Sequence, residues 1–291
     1  MRIATFNIYW FGTSRPLVTR GPEDDALVAQ VLAGLDADVY VLEEICDLGR
    51  MEHVVAAAGE RAGRALRCRD GERIVTSARP TELGDRGTQK VVFAWDAARV
   101  SPTRWGPAPV PALRPPLHAR FEGLGAPVDV VGVHLKSGRL GAPMTDPNAV
   151  QRHAEAAGLA ALLGGEATGD TVRATRTVLL GDLNSRLGDP SIAPLEALPG
   201  WTWPAPAVPV DDPWTTFLDR DVIDLVGLGP GVRLLAPPRA WDYDRDPRIA
   251  PPGWFRRVDD FTAQRARDFP RCPVENLYRV SDHRPVVVEV G

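Results

Sequence analysis

The hydrophobic pattern opens on Ile3 to Ile8, a short and almost unbroken apolar run that reads as a buried strand. From Asp24 to Leu35 the apolar positions become Leu27, Val28, Val31, Leu32 and Leu35, which is the spacing of one helix face. Val39 to Leu42 then returns to a compact, β-branched strand pattern. Further strands are expected at Val91 to Trp95, Leu117 to Phe121, Val128 to His134, Val178 to Leu180, Val258 to Thr262 and Val286 to Val290, with a helix over Ala149 to Leu163. Strands interspersed with helices favour an α/β sandwich.

Between Trp201 and Pro252 the pattern weakens and Pro, Trp and Asp take over. That stretch holds one short apolar segment, Val222 to Leu228, so we read about 199–256 as a long surface excursion within a single domain of residues 1–291. Asp224 is expected in a short helix there.

Composition refines this picture at a few points. Of the 291 residues 44% are hydrophobic, enough for a substantial core, and the formal charge of −4 gives no overall attraction to a polyanion. The basic charge is nearly all arginine, Lys90 and Lys136 being the only lysines. Cys46, Cys68 and Cys272 are an odd number without C-x-x-C spacing, which argues against a disulfide framework and a zinc site. No run approaches a membrane span, and the amino terminus enters a strand without a charged-then-apolar leader, so the cytoplasm is the expected compartment.

Candidate chemistry lies where polar residues end apolar strands: Asn7, Glu44, His134, Asp182 with Asn184, and Asp282 with His283. A carboxylate at a strand end is either solvated or gathered with others around a cation. Taken singly, Asn7 as a turn cap, Glu44 as an arginine partner and Asp282 as a loop cap would be the simpler readings. As a set they are informative.

Five blocks in order, Arg2-Ile-Ala-Thr-Phe-Asn-Ile, Ala37-Asp-Val-Tyr-Val-Leu-Glu-Glu-Ile, Val133-His-Leu-Lys-Ser, Leu180-Gly-Asp-Leu-Asn-Ser and Ser281-Asp-His-Arg-Pro-Val, resemble the signature motifs of the endonuclease/exonuclease/phosphatase superfamily. The resemblance spans nearly the whole chain. It implies a deoxyribonuclease-like, four-layer α/β/β/α sandwich of two packed mixed β-sheets, with the site at one end of both sheets.

On that resemblance Asn7, Glu44 and Asp282 would hold Mg²⁺ or Mn²⁺, hard cations suited to a few protein oxygens and several waters. Asp182 would orient or deprotonate the attacking water, Asn184 and His134 would donate to the phosphoryl oxygens, and His283 would be a second phosphate contact or acid/base group. The family supplies a carboxylate that fixes such a histidine, and Arg257-Val-Asp259 is chosen for it over Val222-Ile-Asp224 because it keeps the arginine. Arg114, in Leu113-Arg-Pro-Pro, is similar to the family's Arg-x-Pro segment and either grips a phosphate or lies at the surface.

Two departures bear on function. Glu43 stands where many members have glutamine, which is expected to put a further negative charge beside the metal. His-Leu-Lys-Ser replaces the tyrosine-bearing segment of DNA-repair members and is similar to nuclease-like bacterial ones. The chain is therefore expected to be a hydrolase cutting phosphodiesters in DNA or RNA. The alternatives are a phosphodiesterase or phosphatase on a lipid head group or small phosphoester, and a non-catalytic binding module. No obligate protein partner is indicated. His53, His118 and His153 read as ordinary histidines, and Trp201, Trp203 and Trp254 as packing residues, with base stacking as the competing reading.

Overall fold

The computed structural model describes residues 1–12, 21–71, 89–165, 176–217, 221–249 and 280–291. Its first sheet runs β10 (Leu234–Ala240), β11 (Val286–Val290), β1 (Arg2–Phe11), β2 (Val39–Ile45), β4 (Lys90–Asp96), β3 (Leu66–Arg69). The second runs β5 (Ser101–Pro107), β6 (Leu117–Gly123), β7 (Gly125–His134), β8 (Thr177–Asp182), β9 (Asp224–Leu228). Both are mixed, with one parallel pair each, β1 with β2 and β7 with β8.

Three apolar layers separate four structural ones. Helices α1 (Pro22–Leu35) and α2 (Leu48–Ala62) bury Val28, Leu32, Met51 and Val55 against Phe6, Ile8, Tyr40 and Leu42 on the outer face of the first sheet. Ile3, Val39, Val41 and Phe93 meet Phe121, Val130, Val178, Leu180 and Val226 between the sheets. Helix α3 (Pro147–Leu163) closes the far side with Ala156, Leu159 and Leu162 on Val131, Val133 and Leu179, helped by the short α4 (Ala193–Glu196). This is the α/β/β/α sandwich the motifs implied.

The period-two alternation of a strand decides what faces the seam between the sheets. In β1 it is Ile3, Thr5 and Asn7; in β7, Val128, Val130, Gly132 and His134; in β8, Val178, Leu180 and Asp182; in β9, Asp224, Val226 and Leu228. The apolar members fill the seam and the polar ones end it. Gly132 lets the sheets approach closely, since a Cβ there would lie 2.6 Å from Val41 Cγ1 and 2.7 Å from Phe93 Cε1.

Several elements differ from the sequence pattern. Val222 to Leu228 does not become a helix: Asp224–Leu228 is strand β9, buried at every position, because its β-branched and apolar residues are covered on both faces. The Pro/Trp-rich stretch thus gives an edge strand to each sheet, β9 and β10. Strands β5 and β10 were hidden by Pro102, Pro107, Pro237 and Pro238, which sheets tolerate at edges, where both strands lie. Helix α2 was also missed, although Asp47 caps it by accepting from the Arg50 amide at 3.0 Å and Gly63 ends it at φ 65°. The expected strand at Val258 to Thr262 lies outside the described residues, as does Cys272.

Candidate active site

Where the polar ends of β1, β2, β7, β8 and β9 meet the loop before β11, a cleft of about 590 Å³, open to solvent, is lined among others by Glu44, Arg114, Asp182, Asn184, Asp282 and His283. Strand register sets much of the arrangement. His134 is paired with Asp182 across β7 and β8, and Asp182 with Asp224 across β8 and β9, so three seam-facing polar residues stand side by side. Asn7 reaches them from the other sheet, its Nδ2 donating to Asp182 Oδ2 at 3.0 Å and Glu44 Oε1 at 3.3 Å.

The backbone bends sharply to build this end of the seam. Glu44 (φ 61°), Tyr9 (φ 36°), Trp10 (φ 52°) and Asn184 (φ 50°) are all left-handed, a conformation that costs a non-glycine residue of order 1 kcal/mol. In return the Tyr9 amide donates to Asn7 Oδ1 at 3.0 Å and the Trp10 amide to Glu44 Oε2 at 2.9 Å. Gly181 precedes Asp182 at φ 148° with the Val133 carbonyl so near that a Cβ would lie 1.9 Å from its oxygen. That explains the glycine of Gly-Asp-Leu-Asn.

The two histidines differ in electrostatic character. His283 Nδ1 lies 2.9 Å from Asp224 Oδ2, and its Nε2 lies 3.9 Å from both Asp182 Oδ2 and Asp282 Oδ1. Burial alone would lower its pKa, but Asp224, Asp282 and Asp182 outweigh burial and raise it well above the ordinary value, so the ring is cationic at neutral pH. His134 Nε2 lies 3.6 Å from Asp182 Oδ2 and 3.7 Å from Glu44 Oε1, yet burial, aided by Arg114 and His283, holds its pKa well below the ordinary value. Its Nδ1 is buried without a hydrogen-bond partner.

Burial pushes the carboxyls of Asp182 and Asp282 up to about 7, with Glu44 adding like charge to each and His283 opposing. Asp282 Oδ1 is buried without a hydrogen-bond partner. Among the described residues no three His, Cys, Asp or Glu side chains form a ready-made metal cage. The oxygens of Glu44 and Asp282 nevertheless fit a hard cation that keeps most of its water, as Mg²⁺ does, and Asn7 Oδ1, which accepts from the Tyr9 amide, has one lone pair left to join them.

Arg114 is not a free surface arginine. Its Nη1 donates to the carbonyls of Leu135 at 2.7 Å and His134 at 3.3 Å, which fixes the guanidinium on the cleft wall. Asn184 Nδ2 donates to the same Leu135 carbonyl at 3.0 Å, which occupies one of its two hydrogens. The cleft thus brings together Asn7, Glu44, Arg114, His134, Asp182, Asn184, Asp282 and His283.

Asp259 lies outside the described residues; Asp224, the alternative to it, places its Oδ2 2.9 Å from His283 Nδ1. Its signal in the sequence is Val222-Ile-Asp, a short apolar run ending on an acid. The expectation for Glu43 is corrected as well. Glu43 faces the seam below the cleft, fully buried, and accepts a hydrogen bond from Thr5 Oγ1. Burial raises its carboxyl well above the carboxylate range, with Asp224 and Asp182 adding to the shift.

His53 and His153 contact the Gly49 and Pro190 carbonyls, and His118 pairs with Asp129 at 2.8 Å. Trp201 is buried, and Trp203 packs on β9 at Gly227. Trp254 lies outside the described residues.

No family model and no curated protein matches the chain. Solved structures do. A mannosyl-6-phosphatase of Bacteroides thetaiotaomicron, Bt3783, is 15% identical with a TM-score of 0.63 over 100% of this chain and 99% of that one. An endonuclease/exonuclease/phosphatase family protein from the same organism is 14% identical with a TM-score of 0.60, over 100% and 94%. A 3′ phosphatase, NExo, from Neisseria, bound to a product DNA hairpin, is 18% identical with a TM-score of 0.58, over 100% and 99%.

Proposed function

We propose that this chain, which has the endonuclease/exonuclease/phosphatase fold, is a divalent-metal-dependent hydrolase of phosphodiesters acting on DNA or RNA. The observation that carries the reading is the convergence of His134, Asp182, Asp224 and His283 with Asn7, Glu44 and Asp282 on one cleft that also presents Arg114.

In this reading Arg114 and Asn184 bind the phosphoryl oxygens from one wall, with guanidinium and amide donors already fixed by the Leu135 carbonyl. Asp182 receives a proton from the attacking water, and its carboxyl near 7 suits proton exchange at neutral pH. His283, held by Asp224, presents a cationic Nε2–H to the charge that builds during in-line displacement. Neutral His134 adds a second donor through Nε2. Asn7, Glu44 and Asp282 would hold Mg²⁺ or Mn²⁺, which when bound supplies Lewis-acid stabilisation of the phosphoryl charge.

A second substrate reading rests on charge. At −4 the chain offers a polyanion no general attraction, which favours a small phosphoester or lipid head group. The test is incubation with plasmid, single-stranded DNA, RNA and a bis-aryl phosphodiester, each with Mg²⁺ or Mn²⁺ and with EDTA. The nuclease reading requires polymer cleavage that EDTA abolishes; cleavage of the small diester alone selects the second reading; no hydrolysis of any substrate rejects both.

A further inference from the structure

The Asp224–His283 contact is assembled from two strands that do not pair with each other: β9 is the edge of the second sheet, and His283 precedes β11 in the first. What joins them is residues 212–217. The Phe217 amide donates to the Asp282 carbonyl at 2.8 Å, the Arg284 amide to the Thr215 carbonyl at 2.6 Å, and Thr216 is bridged to His283 between them. On its other side the Thr215 and Thr216 amides donate to the Asp221 carbonyl at 3.0 and 3.2 Å, just before β9, and one hydroxyl reaches the start of the strand itself. Thr215 Oγ1 accepts from the Ile223 amide at 3.1 Å and the Asp224 amide at 3.2 Å, and donates to the Asp221 carbonyl at 3.4 Å. That uses both lone pairs and the proton, in a fully buried position.

The segment is itself anchored by Arg284, the residue after His283, whose side chain is fully buried. Its guanidinium donates to the carbonyls of Asp212 and Trp214 at 3.0 and 3.1 Å, and it pairs with Asp212, Asp242 and Asp244 at 3.2, 2.9 and 3.2 Å. It also lies 4.7 Å from the Phe217 ring centroid. A buried charge with this many fixed partners leaves the segment little freedom.

We propose that residues 212–217 are a brace holding Asp224 against His283, with Thr215 and Arg284 as its positioning residues; as catalysis this rests on the hydrolase reading above. Neither side chain needs to touch substrate. Thr215→Val keeps the shape and removes the acceptor for two buried amides, whereas Thr215→Ser keeps the hydroxyl.

The test combines kinetics with nitrogen-15 histidine NMR on the full chain. Thr215→Val is expected to lower kcat by about 10- to 100-fold, the usual effect of losing a residue that orients another, with KM unchanged. Thr215→Ser is expected to restore kcat. In an Asp224→Asn background Thr215→Val is expected to cost nothing further, because the contact it serves is already gone. The downfield His283 Nδ1–H signal of the aspartate hydrogen bond should be present in the wild type and Thr215→Ser and lost in Thr215→Val. Arg284→Lys should act like Thr215→Val if it folds; Thr215→Val decides the matter if it does not. Wild-type kcat in Thr215→Val, equal loss in Thr215→Ser, or undiminished loss in the Asp224→Asn background overturns the brace. Should the wild type hydrolyse no phosphodiester, the hydrolase reading fails on its own, and an unaltered Nδ1–H signal in Thr215→Val still overturns the brace.

Discussion

His283 and Asp224, 59 positions apart in sequence, meet at 2.9 Å between imidazole Nδ1 and carboxylate Oδ2. The contact fixes which ring nitrogen faces the cleft and keeps the ring charged. Asp224→Asn should therefore keep the fold, judged by circular dichroism, and lower kcat by roughly 10²- to 10⁴-fold, the span of a general acid–base contribution. Wild-type turnover in this variant would show that His283 does not need its partner.

Asp282 is buried beside Glu44 and Asp182 with one oxygen lacking a hydrogen-bond partner, an arrangement that favours a cation. At about 100 times its dissociation constant Mg²⁺ or Mn²⁺ should stabilise the wild type by about 2.7 kcal/mol, readable as a thermal shift that EDTA reverses. Asp282→Asn should lose most of that shift while the metal-free protein melts no lower than the wild type. A full metal shift in the variant would remove Asp282 from the ligand set.

Arg114 is fixed on the cleft wall by two backbone carbonyls. Arg114→Ala should lower kcat/KM by about 10- to 100-fold, the equivalent of a charged hydrogen bond of roughly 1.5–3 kcal/mol. Arg114→Lys should recover little, since an ammonium cannot bind carbonyls and phosphate with a planar fork. Steady-state rates on the wild type's best substrate decide this, and unchanged kcat/KM in Arg114→Ala would assign the residue to structure.

Stability on the acid side should depend on Asp96, far from the cleft. Burial alone would raise its carboxyl, but the hydrogen bond from Arg64 Nε at 2.8 Å and the Ala98 and Ala65 amides hold it below its usual 3.8. A depressed carboxyl stabilises the fold above its unfolded pKa, and that contribution is lost as pH falls through the lower folded value. Asp96→Asn should lower Tm at pH 7 and flatten the fall in Tm below about pH 4, near the unfolded carboxyl value. An acid limb as steep as the wild type's would contradict this.

How much of the molecule the sequence revealed depended on the kind of signal. β1, β2, β7 and β8 announced themselves because apolar runs end on the polar residues that close the seam, and β11 because Ser281-Asp-His stands just before such a run. Asn7, Glu44, His134, Asp182, Asn184, Asp282 and His283 were legible for the same reason. Asp224 was misassigned because its run is short and sits in a proline-rich stretch, so only pairing with β8 settles it as a strand. The alternation that hides Glu43 below the cleft and the left-handed turn that aims Glu44 into it look identical as Glu-Glu in sequence; backbone geometry tells them apart.

Asn7 and Glu44 stand on one sheet, and His134, Asp182 and Asp224 on the other. The thickness of the sandwich is thus a caliper on the chemistry, and its jaw is set where Gly132 passes Val41 and Phe93. Loops can be exchanged to suit a new substrate while the caliper holds its gap. A single methyl group added at Gly132 would reset it from the inside, with no change to any residue that the substrate meets.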